Sequence, residues 1–211
     1  MRKHSFALKD VLHIGANEGQ EAAEYRRLGA HRVIWVEAIP AVHRKLLGHL
    51  RQFHNQLGLN ACVSDVTGDK VTFNIASNQG QSSSFLELGT HATEHPNVTY
   101  TDKIELETIT IEDLLRDNAI ELPHGTFLNI DLQGAELLAL KGMSNLMSRV
   151  DYCYIEVNEK ELYKGCPLVG EIDEWLALHG FEGCDQKITN WGWGDKFYKR
   201  TAESLTFSDQ A

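Results

Sequence analysis

Short apolar runs alternate with stretches of helical period along this chain, and that alternation restricts the fold more than any other feature. Val11-Leu12-His13-Ile14 passes through Gly15-Ala16-Asn17-Glu18-Gly19 into a helix pattern at 20–28, closed by Gly29. Arg32-Val33-Ile34-Trp35-Val36 follows, then a second helix pattern at 40–53, with Pro40 suited to its first turn. Residues 59–63 and 70–76 read as strands and 103–109 as a half-exposed strand, after which Thr110 caps a short helix at 111–116. Phe127-Leu128-Asn129-Ile130 leads through Asp131 into a helix pattern at 135–141, and 152–157 and 168–178 repeat the strand and helix. Such an order predicts a parallel α/β sheet covered on both faces. Residues 181–185 and 195–199 have no helix between them, so they predict a closing antiparallel hairpin.

The chain of 211 residues has no repeat or Pro/Gly/Ser-rich linker, so residues 1–211 are expected to form one domain. The polar, weakly periodic stretch 77–100 is the expected functional loop and a possible substrate lid. The net charge of -10, with scattered lysines and arginines, argues against nucleic acid or anionic membrane as a partner. No run approaches the ~18 apolar residues of a membrane span. Charge returns at Lys9 before any signal-peptide core develops, so a cytoplasmic location is expected. Cys62, Cys153, Cys166 and Cys184 form no CxxC and no metal spacing, which favours free thiols.

Ligands of a parallel sheet bind beyond the carboxyl ends of its strands, so the residues that leave each strand carry the chemistry. Those exits are Gly15 to Gly19, Glu37, Ser64-Asp65, Asp131 and Glu156. The glycine turn lets a ligand approach the backbone, yet it departs from GxGxxG because Asn17 stands where the second glycine would admit a pyrophosphate. Glu18 would repel phosphate there and suits a cation, such as the ammonium and sulfonium of S-adenosylmethionine. Glu37 stands where an acid after the second strand accepts from ribose hydroxyls, and Asp65 is placed to accept from an adenine amino group.

The segments VLHIGANEGQ, VIWVEAIP, ACVSD, FLNIDLQGAELLALKGM, IEVNEKELYKG and GWGDKFYKR resemble the FkbM family of S-adenosylmethionine-dependent methyltransferases over residues 11–200. Ile130-Asp131-Leu132-Gln133-Gly134-Ala135-Glu136 is the most specific part of that resemblance. It implies a class I methyltransferase sheet, Rossmann-like, of seven strands with the last antiparallel. It also implies methylation of a hydroxyl on a sugar, glycan or small metabolite. The cofactor positions it carries across are Gly15, Ala16, Asn17, Gly19, Glu37 and Asp65, with Asp131 at the family's acid after the fourth core strand. Because the glycine motif begins within fifteen residues of Met1, stretch 77–100 or a partner is expected to do the covering that an N-terminal segment does elsewhere in the family.

For the transfer itself Asp131 has two readings, one as the group that orients the acceptor hydroxyl or takes its proton and one as the holder of the methionine ammonium or of a backbone turn. Glu156 and Asn158 share a strand face directed at the same place. Asp131 with Glu156 would suit a divalent metal, although two carboxylates alone do not specify one. Glu136 reads as a structural or helix-dipole contact. His91 is a candidate base and, with Glu94 and His95, falls in the polar stretch, where a plain exposed loop is the competing reading. Ser82, Ser83 and Ser84 either line an acceptor pocket or form a turn, Trp191 and Trp193 either stack on a sugar or pack, and His13 reads as a satisfied core histidine. The rivals are an NAD(P)-binding oxidoreductase, which lacks its GxGxxG here, and a partner subunit that binds S-adenosylmethionine without turnover.

Overall fold

A computed structural model describes residues 8–201, so the leader-free reading of residues 1–7 lies outside the described residues. The elements in chain order are β1 (Asp10–Ile14), α1 (Ala22–Arg27), β2 (Arg32–Glu37), α2 (Pro40–Leu50), β3 (Gln56–Asn60), β4 (Cys62–Val63) and β5 (Lys70–Ala76). There follow α3 (His91–Glu94), β6 (Tyr100–Ile109), α4 (Ile111–Asp117), β7 (Thr126–Ile130), α5 (Glu136–Lys141) and a 3-10 helix (Ser144–Arg149). The chain closes with β8 (Val150–Asn158), α6 (Val169–Leu178), β9 (Phe181–Ile188) and β10 (Trp193–Arg200).

Seven strands form one sheet in the order β3-β2-β1-β7-β8-β10-β9. From β3 to β8 every pairing is parallel, while β10 runs antiparallel to both β8 and β9. The expected α/β class, seven-stranded sheet and antiparallel hairpin are all present. Strand order reverses between β1 and β7, which opens a crevice at their carboxyl ends.

Alternation along each strand divides the core. Leu12, Ile14, Ile34, Val36, Leu128 and Ile130 point to one face, where α4, α5 and α6 supply Ile111, Leu140 and Ile172. Val11, Val33, Trp35 and Phe127 point to the other, against Tyr25 of α1 and Leu46 of α2. His13 shares this second face, where its Nδ1 accepts from the Tyr25 hydroxyl at 3.0 Å and Asn129 donates to that hydroxyl at 2.7 Å. It is a satisfied histidine, held neutral because burial lowers its pKa to about 3.

Two expectations change. Residues 59–63 do not form one strand: Asn60 ends β3 by donating its amide to the Glu37 carbonyl at 2.7 Å, and Cys62–Val63 leaves to pair with β6 in a separate sheet, β4-β6-β5. Stretch 77–100 is no open loop, because Asn74 bridges Ser84, Leu88 bridges Tyr163, and the Tyr100 hydroxyl donates to the Leu86 carbonyl at 2.8 Å. Ser82, Ser83 and Ser84 are buried, and the Ser83 and Ser84 hydroxyls accept from the Ala76 and Leu86 N–H groups at 2.9 and 3.1 Å. All four cysteines are free, and no helix among the described residues is long and apolar enough to cross a membrane.

Candidate functional site

A cavity of about 450 Å³ lies along the carboxyl ends of the main sheet, from the end of β2 to the start of β10. That volume is in the range of small-molecule sites. Its floor is the crevice between β1 and β7. There the Asp131 N–H donates to the Ile14 carbonyl at 3.0 Å, and Gly15 takes φ +86 so close to the exit of β7 that a Cβ would stand 1.7 Å from the Asp131 carbonyl oxygen. Only glycine fits that contact.

At one end of the cavity, Gly15, Ala16, Asn17 and Glu37 form the lining as a group. The Gly15 and Ala16 N–H groups donate to the Val36 carbonyl, at 2.9 Å each, and this ties the turn to β2. Glu37 accepts from the Asn17 N–H at 2.9 Å and the Ile39 N–H at 2.8 Å, which fixes its carboxylate while leaving lone pairs free. Burial raises its pKa to about 7. Asn17 holds φ 45, a left-handed conformation its side chain supports by accepting from the Glu18 N–H at 2.8 Å.

Other candidates stand apart from the lining. Glu18 turns out to Lys45, at 2.7 Å, and Gly19 packs under α2, where a Cβ would meet Leu46 at 2.7 Å. Ser64 is buried and donates to Asp65 at 3.1 Å, and Asp65 is exposed; the cavity wall beyond β3 is made by Cys62 and Val63 instead. The Ser84 hydroxyl accepts from the Leu86 N–H at 3.1 Å, whereas Ser82 and Ser83 do line the cavity. Asn158 is fully buried and has no hydrogen-bond partner for either amide atom.

At the centre Asp131 opens onto the cavity within walls that surround it. Gln133, at φ 53, swings its amide back so that Nε2 donates to Asp131 at 2.6 Å and to Glu156 at 3.0 Å, while the Tyr163 hydroxyl donates to its Oε1 at 2.5 Å. Glu136 is completely buried and accepts from the Leu132 and Gly134 N–H groups at 2.9 and 3.1 Å, so its structural role is to clamp the β7 exit. One carboxylate oxygen from each of Asp131, Glu136 and Glu156 lies within 4.8 Å of the others. Burial, then mutual repulsion, raises the pKa of Glu156 well above the ordinary value; burial likewise raises Asp131 and takes Glu136 to about 7. Carboxyls so arranged either share protons or face a cation.

His91, His95 and Trp193 wall the opposite end. His91 is buried, not the exposed loop residue of the competing reading, because α3 packs on the 159–163 segment through the Gly89 N–H to Leu162 bond at 2.9 Å. Burial, then the nearby His95, lowers the His91 pKa, which favours the neutral ring and makes it a weaker base than an ordinary imidazole. Trp193 joins the lining while Trp191 stays half exposed. Sequence reasoning missed Glu21, Gln133 and Tyr163. Glu21 lines the cavity from the turn before α1, and a helix-leading acid next to the glycine motif was the available signal.

The profile of the methyltransferase FkbM domain matches residues 13–182. The chain belongs to the FkbM methyltransferase family. Within curated proteins it is similar to the 2-O-methyltransferase NoeI of Sinorhizobium fredii, 22% identical over 162 residues that cover 74% of this chain and 65% of the relative, so it spans about two thirds of that relative's length. Its fold resembles the crystal structure of methyltransferase FkbM from Methylobacillus flagellatus, with TM-score 0.58, 14% identity, and coverage of 93% of this chain and 44% of that one. It also resembles Aeropyrum pernix fibrillarin in complex with S-adenosyl-L-methionine, with TM-score 0.52, 16% identity, and coverage of 92% and 69%.

Proposed function

We propose that this FkbM-family chain binds S-adenosylmethionine and transfers its methyl group to a hydroxyl of a sugar, glycan or small metabolite. The observation that carries the reading is a cavity at the switch point of the sheet lined by Glu21, Glu37, Asp131 and Glu156, with a glycine turn that lacks the dinucleotide spacing. Carboxylates in a desolvated site attract a sulfonium and an ammonium and repel a pyrophosphate. The 2-O-methyltransferase relative supports a hydroxyl acceptor.

In this reading Gly15, Ala16 and Asn17 lie against the methionine portion, and the free lone pairs of Glu37 take the ribose hydroxyls. Cys62 and Val63 flank the adenine, and Asp65, exposed and outside the lining, takes no part in that contact. The acceptor oxygen attacks the methyl carbon in line, the carbon–sulfur bond breaks, and the sulfonium becomes the neutral thioether of S-adenosylhomocysteine. Alignment of the two partners supplies up to about 7–11 kcal/mol of such a barrier. The hydroxyl proton passes to Asp131, which shares it with Glu156; a carboxyl whose pKa is raised is a stronger base than an ordinary one. Gln133 holds the pair in register. Its amide already bridges the two carboxylates, and Glu136 is already engaged by backbone N–H groups, so protons rather than a divalent metal balance this cluster.

Calorimetry tests the reading directly. S-adenosylhomocysteine is expected to bind with a Kd of about 1–100 μM, typical of substrate-like ligands. Tight NADH binding without any response to S-adenosylmethionine or its product would replace it with the oxidoreductase.

A further inference from the structure

Asp131 and Glu156 are held from behind by a side chain outside the cavity lining. Among the described residues, the Gln133 amide is the one donor to these carboxylates from outside the pair, with Nε2 at 2.6 Å from Asp131 and 3.0 Å from Glu156. Behind it, the completely buried Tyr163 donates its hydroxyl to Gln133 Oε1 at 2.5 Å. The chemistry of the groups requires this order. A carboxylate only accepts, so two of them take the NH2 end of the amide and use both of its hydrogens. The carbonyl end then needs a donor, which the tyrosine supplies. With the amide reversed, its oxygen would face two carboxylates and the buried tyrosine O–H would lose its acceptor.

Packing supports the same arrangement. Gln133 takes φ 53, which favours glycine or asparagine, and Gly134 lies so close behind it that a Cβ there would stand 3.1 Å from the Tyr163 Cβ. Leu88 bridges Tyr163, and the His91 ring stands 5.5 Å from the tyrosine ring, so stretch 77–100 is anchored on the same residue. Further acids give the hydrogen bond its consequence. Glu136 on α5, Asp195 on β10 and Glu21 before α1 add negative charge around the pair, Lys187 on β9 acts on Asp195, and no lysine or arginine lines the cavity among the described residues. Such crowding favours a proton held within the pair, whereas two amide N–H groups favour the anion.

Resting on the methyltransferase reading, we infer that Tyr163 is a positioning residue for the transfer: its hydroxyl holds the Gln133 oxygen so that both amide N–H groups stay on Asp131 and Glu156. The pair is thereby kept negative toward the sulfonium and able to take the acceptor's proton.

Two measurements on the whole chain test this. In the first, Kd is compared for S-adenosylmethionine and S-adenosylhomocysteine, which differ by a methyl group and its positive charge. Tyr163→Phe removes only the hydroxyl and is expected to lower the preference for S-adenosylmethionine about fivefold, through the loss of fixed donors to the anionic pair. A merely structural role would weaken both ligands alike, so an unchanged ratio would overturn the inference. Gln133→Asn tolerates the left-handed backbone but falls short of its partners, and it is expected to lower the ratio by itself. Adding Tyr163→Phe to it should then change nothing, because the two residues act as one unit; a further fall would show that Tyr163 acts by another route and overturn the inference. In the second measurement, hydrogen exchange of the 15N-labelled Gln133 side-chain amide, identified by its loss in Gln133→Asn, is followed by NMR. It is expected to be slow in the wild-type chain and about tenfold or more faster in Tyr163→Phe. A wild-type amide exchanging as fast as exposed glutamines, or equal exchange in the two proteins, would overturn the inference. Absence of binding of either ligand to the wild-type chain would overturn the methyltransferase reading and the role in transfer with it, while amide exchange decides the Tyr163 hydrogen bond separately.

Discussion

Asp131 is the most consequential single residue, because it stands at the strand-order reversal, faces the cavity and is tied through Gln133 to both Glu156 and Tyr163. Its two sequence readings separate in one variant. If it takes the hydroxyl proton, Asp131→Asn lowers kcat by about 10²–10⁴-fold while the Kd of S-adenosylhomocysteine stays within about threefold. Equal losses in kcat and cofactor affinity would assign it to the methionine ammonium instead. Glu37 and Asp131 were legible in the sequence because an acid at the end of an apolar strand run has few reasons to be there. Gln133 was not, since its role depends on a left-handed backbone at φ 53 that carries its amide over two carboxylates from different strands.

At the scale of elements, the glycine turn after β1 is both a ligand platform and a structural joint. Gly15→Ala forces a side chain into a left-handed conformation and into the Asp131 carbonyl, 1.7 Å from where its Cβ would stand. The expected cost is about 3 kcal/mol, the upper end for a strained backbone position, read as a lower urea midpoint at unchanged slope, together with loss of cofactor binding. The helix and strand periods identified nearly every main-sheet element, because each is a local pattern of apolar residues. They failed at residues 59–63, where an apolar run continuous in sequence is divided by the Asn60 amide between two sheets. They also gave stretch 77–100 no structure, since its order comes from bonds to Asn74 and to the 161–163 backbone rather than from its own period.

For the molecule as a whole, the cavity concentrates negative charge at a cost that depends on pH. Below its ordinary pKa of 4.5, Glu37 is protonated in folded and unfolded chains alike. As pH rises past that value the unfolded chain releases the proton while the folded chain keeps it to about 7, and Glu136 behaves the same way. The ligand-free protein is therefore expected to lose stability between those values and to level off above them, measured as Tm across pH. A cationic ligand opposes this loss. S-adenosylmethionine is expected to raise Tm more at about pH 8 than at about pH 5.5, and an equal rise at both would argue that it does not contact these carboxylates.

The sequence by itself determined the α/β class, the closing hairpin, the glycine turn and the acids at the strand ends, because period, turn chemistry and strand exits are written within a few neighbouring residues. The tertiary structure alone decided which of those groups meet. Strand order set Gly15 against Asp131, α3 buried His91 opposite Glu156, and β4 put Cys62 and Val63 where Ser64 and Asp65 were expected. Those encounters join residues far apart in the chain, and only the packing of the sheet and of stretch 77–100 brings them within reach of one ligand.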